Sequence, residues 1–82
     1  MDSEQKARDA AAALLPYVSP AMSEQDMEGY TSPLSAGEPE LALMWLLGYA
    51  GLPQAHAPRN IILDAVAALP DDDKDDYVYL LD

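Results

Sequence analysis

Gly37-Glu38-Pro39-Glu40-Leu41-Ala42-Leu43-Met44-Trp45-Leu46-Leu47 decides the fold of this 82-residue chain. Gly37 can take the positive φ that stops one helix. Pro39 suits the first turn of the next, where a missing N–H costs nothing. Glu38 and Glu40 place negative charge where the helix dipole favours it. From Leu41 to Leu47 no residue is polar, so the segment reads as a helix surrounded by the rest of the chain rather than half in water. Met44 and Trp45 are therefore expected in the core. An exposed side of this helix would instead imply a dimer or a partner groove.

Working outward, the other segments also read as helices. Ser3 is placed to cap a first helix running to about Leu15, where Pro16 ends it. Its apolar stripe is Ala7, Ala11 and Leu14, with Leu15 beside it, and the run Ala10–Ala13 permits close helix approach. A second helix starts either at Ser19, with Pro20 in its first turn, or at Ser23. Its apolar positions Met22, Met27 and Tyr30 are sparse, and Glu24, Asp26 and Glu28 line the rest. Pro33 leaves the far end open: the helix either runs on past it or stops near Tyr30 and restarts as a short turn before Gly37. The third helix runs from about Pro39 to Tyr49, closed by Gly51 and Pro53. Pro58 primes a fourth that ends near Leu69, with Ile62, Ala65, Val66 and Leu69 at helical spacing. Pro70 opens a last short helix whose first turn holds Asp71, Asp72 and Asp73. Tyr77, Val78, Tyr79, Leu80 and Leu81 form an apolar cluster expected to dock. The fold class is all-α: one domain over residues 1–82, a small bundle of four main helices plus a short C-terminal helical turn.

Eighty-two residues sit near the size where one core is marginal without staples. The chain has no cysteine, which removes disulfides and thiolate metal sites and fits a reducing cytoplasm. The start, Met1-Asp2-Ser3-Glu4-Gln5-Lys6, lacks a basic lead followed by an apolar run, so no signal peptide is expected. The apolar run Leu41–Leu52 is too short to span a bilayer. Fifteen acidic residues against four basic ones give a formal charge of −11. Such a chain repels nucleic acid and anionic membrane and attracts basic proteins. The plainer role of that charge is solubility.

Chemistry has few places to live. His56 is the only histidine, between Pro53 and Pro58, with no positioned carboxylate beside it to make a general base. Ser19, Ser23, Ser32 and Ser35 serve as caps or turn residues. No phosphate-binding glycine loop and no histidine pair for zinc is present, so neither an enzyme nor a cofactor is expected. Asp71, Asp73 and Asp75 alternate as in a calcium loop, but Asp76 stands where that loop needs glycine and Asp82 is its twelfth position, with no exit helix. A dipole-matched helix start explains the run better, and no metal site is expected.

The same run supports docking. Asp71, Asp72, Asp73, Asp75 and Asp76 precede Tyr77 and Tyr79, and acidic groups beside aromatics suit a basic protein partner. Glu24, Asp26, Glu28 and Tyr30 form a second candidate patch. Core packing is the competing explanation for the tyrosines.

The centre of the chain, Ser35-Ala36-Gly37-Glu38-Pro39-Glu40-Leu41-Ala42-Leu43 with Tyr30 upstream, resembles small bacterial immunity proteins of the MafI type and related polymorphic-toxin immunity families. These carry a helix, an Ala-Gly-Glu stop and a Leu-Ala-rich helix a few residues on. In the family the preceding helix usually runs on to the glycine, where here Pro33 intervenes. The resemblance implies a cytoplasmic inhibitor that binds a cognate toxin domain, often a nuclease. It assigns no functional residues. The charge fits independently, since a strongly acidic protein can cover a basic cleft. The expected partner is a toxin with a basic surface, bound by a monomer or weak dimer, with no nucleic acid and no membrane. The alternative is an acidic helical protein–protein interaction module, or a DNA mimic, unrelated to a toxin. A carrier protein would need a serine in an Asp-Ser-Leu-like setting at a helix start, and the only Asp-Ser pair is Asp2-Ser3.

Overall fold

Ala7, Ala11, Leu14 and Val18 recur at helical spacing and are all fully buried, which makes one continuous stripe along α1 (Ser3–Val18). The computed structural model describes residues 3–81; Met1, Asp2, Asp82 and the side chain of Ser3 lie outside it, and with them the cap expected at Ser3. The helix does not end at Pro16 as the sequence predicts. A proline at this point removes the bond its own N–H would make to the Ala12 carbonyl, and its ring crowds that carbonyl. Ala12 and Pro16 are both exposed, so water can take that carbonyl. Continuing the turn buries Val18, worth roughly 1.5–3 kcal/mol, which offsets much of the roughly 3 kcal/mol that an interior proline costs.

Both candidate starts of the next element are used. Ser19–Ala21 form a 3-10 turn, and Ser23 then caps α2 (Glu24–Ser35). The cap is reciprocal: Asp26 N–H donates to Ser23 Oγ at 3.1 Å, and Ser23 N–H donates to the Asp26 carboxylate at 3.0 Å. Pro33 does not stop α2, which settles the end that the sequence left open. It sits in the last turn, and its own carbonyl is used to close the helix. Glu38 N–H donates to the Pro33 carbonyl at 2.8 Å and Gly37 N–H to that of Leu34 at 3.3 Å, with Gly37 at φ 79°. This paired closure needs a left-handed residue, and glycine supplies it without strain.

Pro39, fully buried, opens α3 (Pro39–Ala50), and Gly51 closes it. After a loop, Pro58 precedes α4 (Arg59–Ala67), and Pro70 precedes the single turn α5 (Asp71–Lys74). A 3-10 turn, Val78–Leu81, ends the described chain. It docks in part: Tyr77, Leu80 and Leu81 pack on the core, and the Arg59 guanidinium donates to the Leu81 carbonyl. Val78 and Tyr79 stay exposed.

The main helices assemble around α3. Both α1 and α2 pack along it, and α4 packs on α1 and on the final turn. Ala42, Leu43, Leu46 and Leu47 supply the centre and have no exposed surface. The small Ala7 and Ala11 of α1 let the helix axes approach. Among the described residues no polar or charged side chain is buried, and no helix is long and apolar enough to cross a membrane.

Candidate interaction site

The third helix is not enclosed on all sides, and this corrects the sequence reading. Leu41 is 49% exposed and Trp45 42%, Gly48 is exposed and Met44 is half-buried. These positions form the outer face of α3. Trp45 is not a core residue, and Met44 packs against the core only from its edge, half-buried.

Trp45 is nonetheless held firmly. Its Nε1–H donates to the Asp26 carbonyl at 2.7 Å. Its ring meets that of Tyr49 edge-on, with centroids 5.9 Å apart at 61°. The indole lies so close to α2 that a Cβ on Gly29 would stand 2.0 Å from Trp45 Cε2. Gly29 is thus the residue that lets the ring lie against the helix backbone. Sequence reasoning passed over it, although a glycine inside a helix costs about 1 kcal/mol and signals a close approach.

Two hollows adjoin on this face. One, of about 400 Å³, is lined by Gly29, Pro33, Leu41, Met44, Trp45 and Tyr77. No charged side chain lines it. The other, of about 310 Å³, shares Leu41 and Met44 and is bordered by Glu38, Glu40 and Asp73 at the start of α3 and on α5, with no basic residue on its lining. The first two glutamates, predicted only to complement the α3 dipole, are also part of this rim.

Of the two predicted patches only the C-terminal one reaches these hollows; on the α2 side they are lined by Gly29 and Pro33, which belong to neither patch. From the C-terminal patch, Tyr77 and Asp73 border the hollows and are half-buried. Partial burial pushes the Tyr77 phenol above its ordinary pKa, and the charges of Asp76 and Asp73 add to the shift. Asp71, Asp72, Asp75, Asp76 and Tyr79 are exposed, and Asp71 accepts from Lys74 Nζ at 2.9 Å. From α2, Glu24 and Glu28 are exposed. The remaining two members are corrected. Tyr30 is buried at 8% and packs in the core, so it offers no surface contact. Asp26 is committed to the fold: the Ser23 N–H above all, with help from the Tyr49 hydroxyl and Ser23 Oγ, holds its carboxyl below the usual range against partial desolvation. Tyr49 is correspondingly raised, by burial first and then by Asp26.

Among the described residues, no group of three or more histidines, cysteines or carboxylates is placed to hold a metal ion. His56 is exposed in its loop, where its backbone N–H donates to the Tyr17 carbonyl at 3.3 Å. Compared with models of known families, with curated proteins and with solved structures, the chain matches none.

Proposed function

We propose that this chain is an immunity protein: a stoichiometric, non-catalytic inhibitor that binds a cognate bacterial toxin domain in the cytoplasm. The toxin would be a nuclease or another enzyme with a basic cleft. One observation carries the reading: the outer face of an otherwise apolar helix stands bare between carboxylates, on a chain of net charge −11. A monomer that leaves leucine and tryptophan uncovered at its centre has surface to offer a partner. The acidic rim selects that partner for positive charge. The resemblance around Gly37 supplies the class of partner, and the course of α2 through Pro33 to the glycine agrees with the layout of that family.

Division of labour follows from the chemistry. The exposed aspartates Asp71, Asp72, Asp75 and Asp76 act at a distance and set the rate of encounter. Trp45, Leu41 and Tyr77 act on contact and set how long the complex lasts. Converting Asp71, Asp72, Asp73, Asp75 and Asp76 to asparagine should slow association by roughly tenfold or more at low salt and flatten its salt dependence. The decisive experiment is co-expression with the product of the neighbouring gene, asking whether this chain restores growth. Failure to restore growth, or to form a complex with that product, would end the proposal.

A further inference from the structure

We propose that the two adjoining hollows on the outer face of α3 form one binding site for a basic amphipathic segment of a partner protein. An apolar side chain of that segment seats between Trp45 and Tyr77, and its lysines or arginines lie against Glu38, Glu40 and Asp73. This assignment rests on the reading of the chain as an inhibitor that grips a cationic protein, and it adds the form of the gripped element.

The chemistry of the site is divided along its length. One hollow is lined only by uncharged residues, the other is bordered by carboxylates without a basic residue, and Leu41 and Met44 belong to both. A ligand that covers the shared floor therefore meets carbon on one side and negative charge on the other. Trp45 fixes what the apolar end accepts. Its only hydrogen-bonding atom is already given to the Asp26 carbonyl, so the ring presents carbon and π surface alone. Backing by Gly29 and Tyr49 holds that surface in place before binding, which lowers the ordering cost of the complex. Charge then decides among occupants. A second copy would bring another −11 and oppose carboxylate to carboxylate, and nucleic acid carries the same sign. A basic polypeptide is the occupant that satisfies both halves.

Trp45 is the only tryptophan, so the site reports its own occupancy by fluorescence. The full chain is titrated with an amphipathic lysine–leucine peptide about 18 residues long, enough for five helical turns. A second peptide keeps the lysines and replaces leucine by serine. The expected result is a saturable blue shift with the first peptide, weakened by salt, and affinity at least about tenfold lower for the second. The double variant Leu41→Ser, Met44→Ser should lose about tenfold for the leucine peptide, and Asp73→Asn should flatten the salt dependence. Leu63→Ser, at an exposed leucine that lines neither hollow, should change nothing. Equal binding of the two peptides, or no emission change, overturns the site. So does an emission shift that follows protein concentration alone, with dimer in sedimentation, because the occupant is then a second copy. The two proposals fail separately. If the Leu41→Ser, Met44→Ser variant restores growth as well as the parent chain, the site falls and the inhibitor stands. If the peptides are discriminated but no toxin is neutralised, the inhibitor falls and the site stands.

Discussion

The two faces of α3 are almost equally apolar, yet their fates differ. Ala42, Leu43, Leu46 and Leu47 have no exposed surface, while Leu41 and Trp45 keep between two-fifths and half of theirs. On the inner face α1 and α2 supply the cover. On the outer face the chain supplies walls, Gly29 and Pro33 on one side and Tyr77 on the other, but no lid. Apolar composition therefore states what a residue would gain from being covered, not that its own chain provides the covering. The same comparison separates stability from recognition: the inner face holds the fold, and the outer face is available for contact.

Leu46→Ala should produce the largest effect, a loss of about 2–5 kcal/mol in urea unfolding, because it opens a cavity in the packed centre. A domain of this size has only roughly 4–12 kcal/mol in total, so the variant should lose a large share of its stability. Gly29→Ala probes the boundary between the faces. Its new methyl must displace the Trp45 ring, at a cost of about 1–3 kcal/mol and with a changed emission spectrum. Removing the ring as well, in Gly29→Ala with Trp45→Ala, should recover most of that loss relative to Trp45→Ala alone.

Ser23→Ala, which acts at the helix cap rather than on either face, should cost about 1 kcal/mol. It should leave most of the pH dependence tied to Asp26 in place, because the largest contribution comes from the Ser23 backbone N–H, which alanine keeps, and Ser23 Oγ adds the smallest. That carboxyl is depressed in the fold, so its contribution is present above the ordinary carboxylate pKa and is lost as pH falls through the lowered value. Acid unfolding of the parent chain and of Ser23→Ala measures how much remains. The smallest effect belongs to Leu41→Ala, expected within about 0.5 kcal/mol. Should Leu41→Ala destabilise as much as Leu46→Ala, the contrast between the faces would collapse, and with it the case for a contact surface.

What could be read in advance follows a physical pattern. Gly37 and Pro39 were legible because each acts through its own backbone: φ is 79° at the glycine, and the proline opens α3. The all-α class and four main helices followed from periodicity in the same way. Pro16 was misread as a stop, and Pro33 left the end of α2 undecided, because their local cost was weighed without the compensation that tertiary structure brings, namely buried Val18 and the closure at Gly37. The site was less legible. Asp73 and Tyr77 were anticipated from charge beside aromatic, but Tyr30, with the same surroundings in sequence, faces inward. Tyrosine suits core and surface alike, and only the rotation of α2 decides. Trp45 and Leu41 gave no signal of exposure, since nothing polar marks the bare side of α3.

Apart from the Tyr30 hydroxyl, the interior contains no hydrogen-bonding side chain among the described residues. Such a centre imposes volume but almost no directional constraint, so its aliphatic residues can be exchanged for one another in many combinations. The inside of this protein is consequently the part most free to drift or to be randomised, whereas Gly29, the Ser23–Asp26 pair and the Gly37 corner are the positions where a lineage or a library would find little latitude.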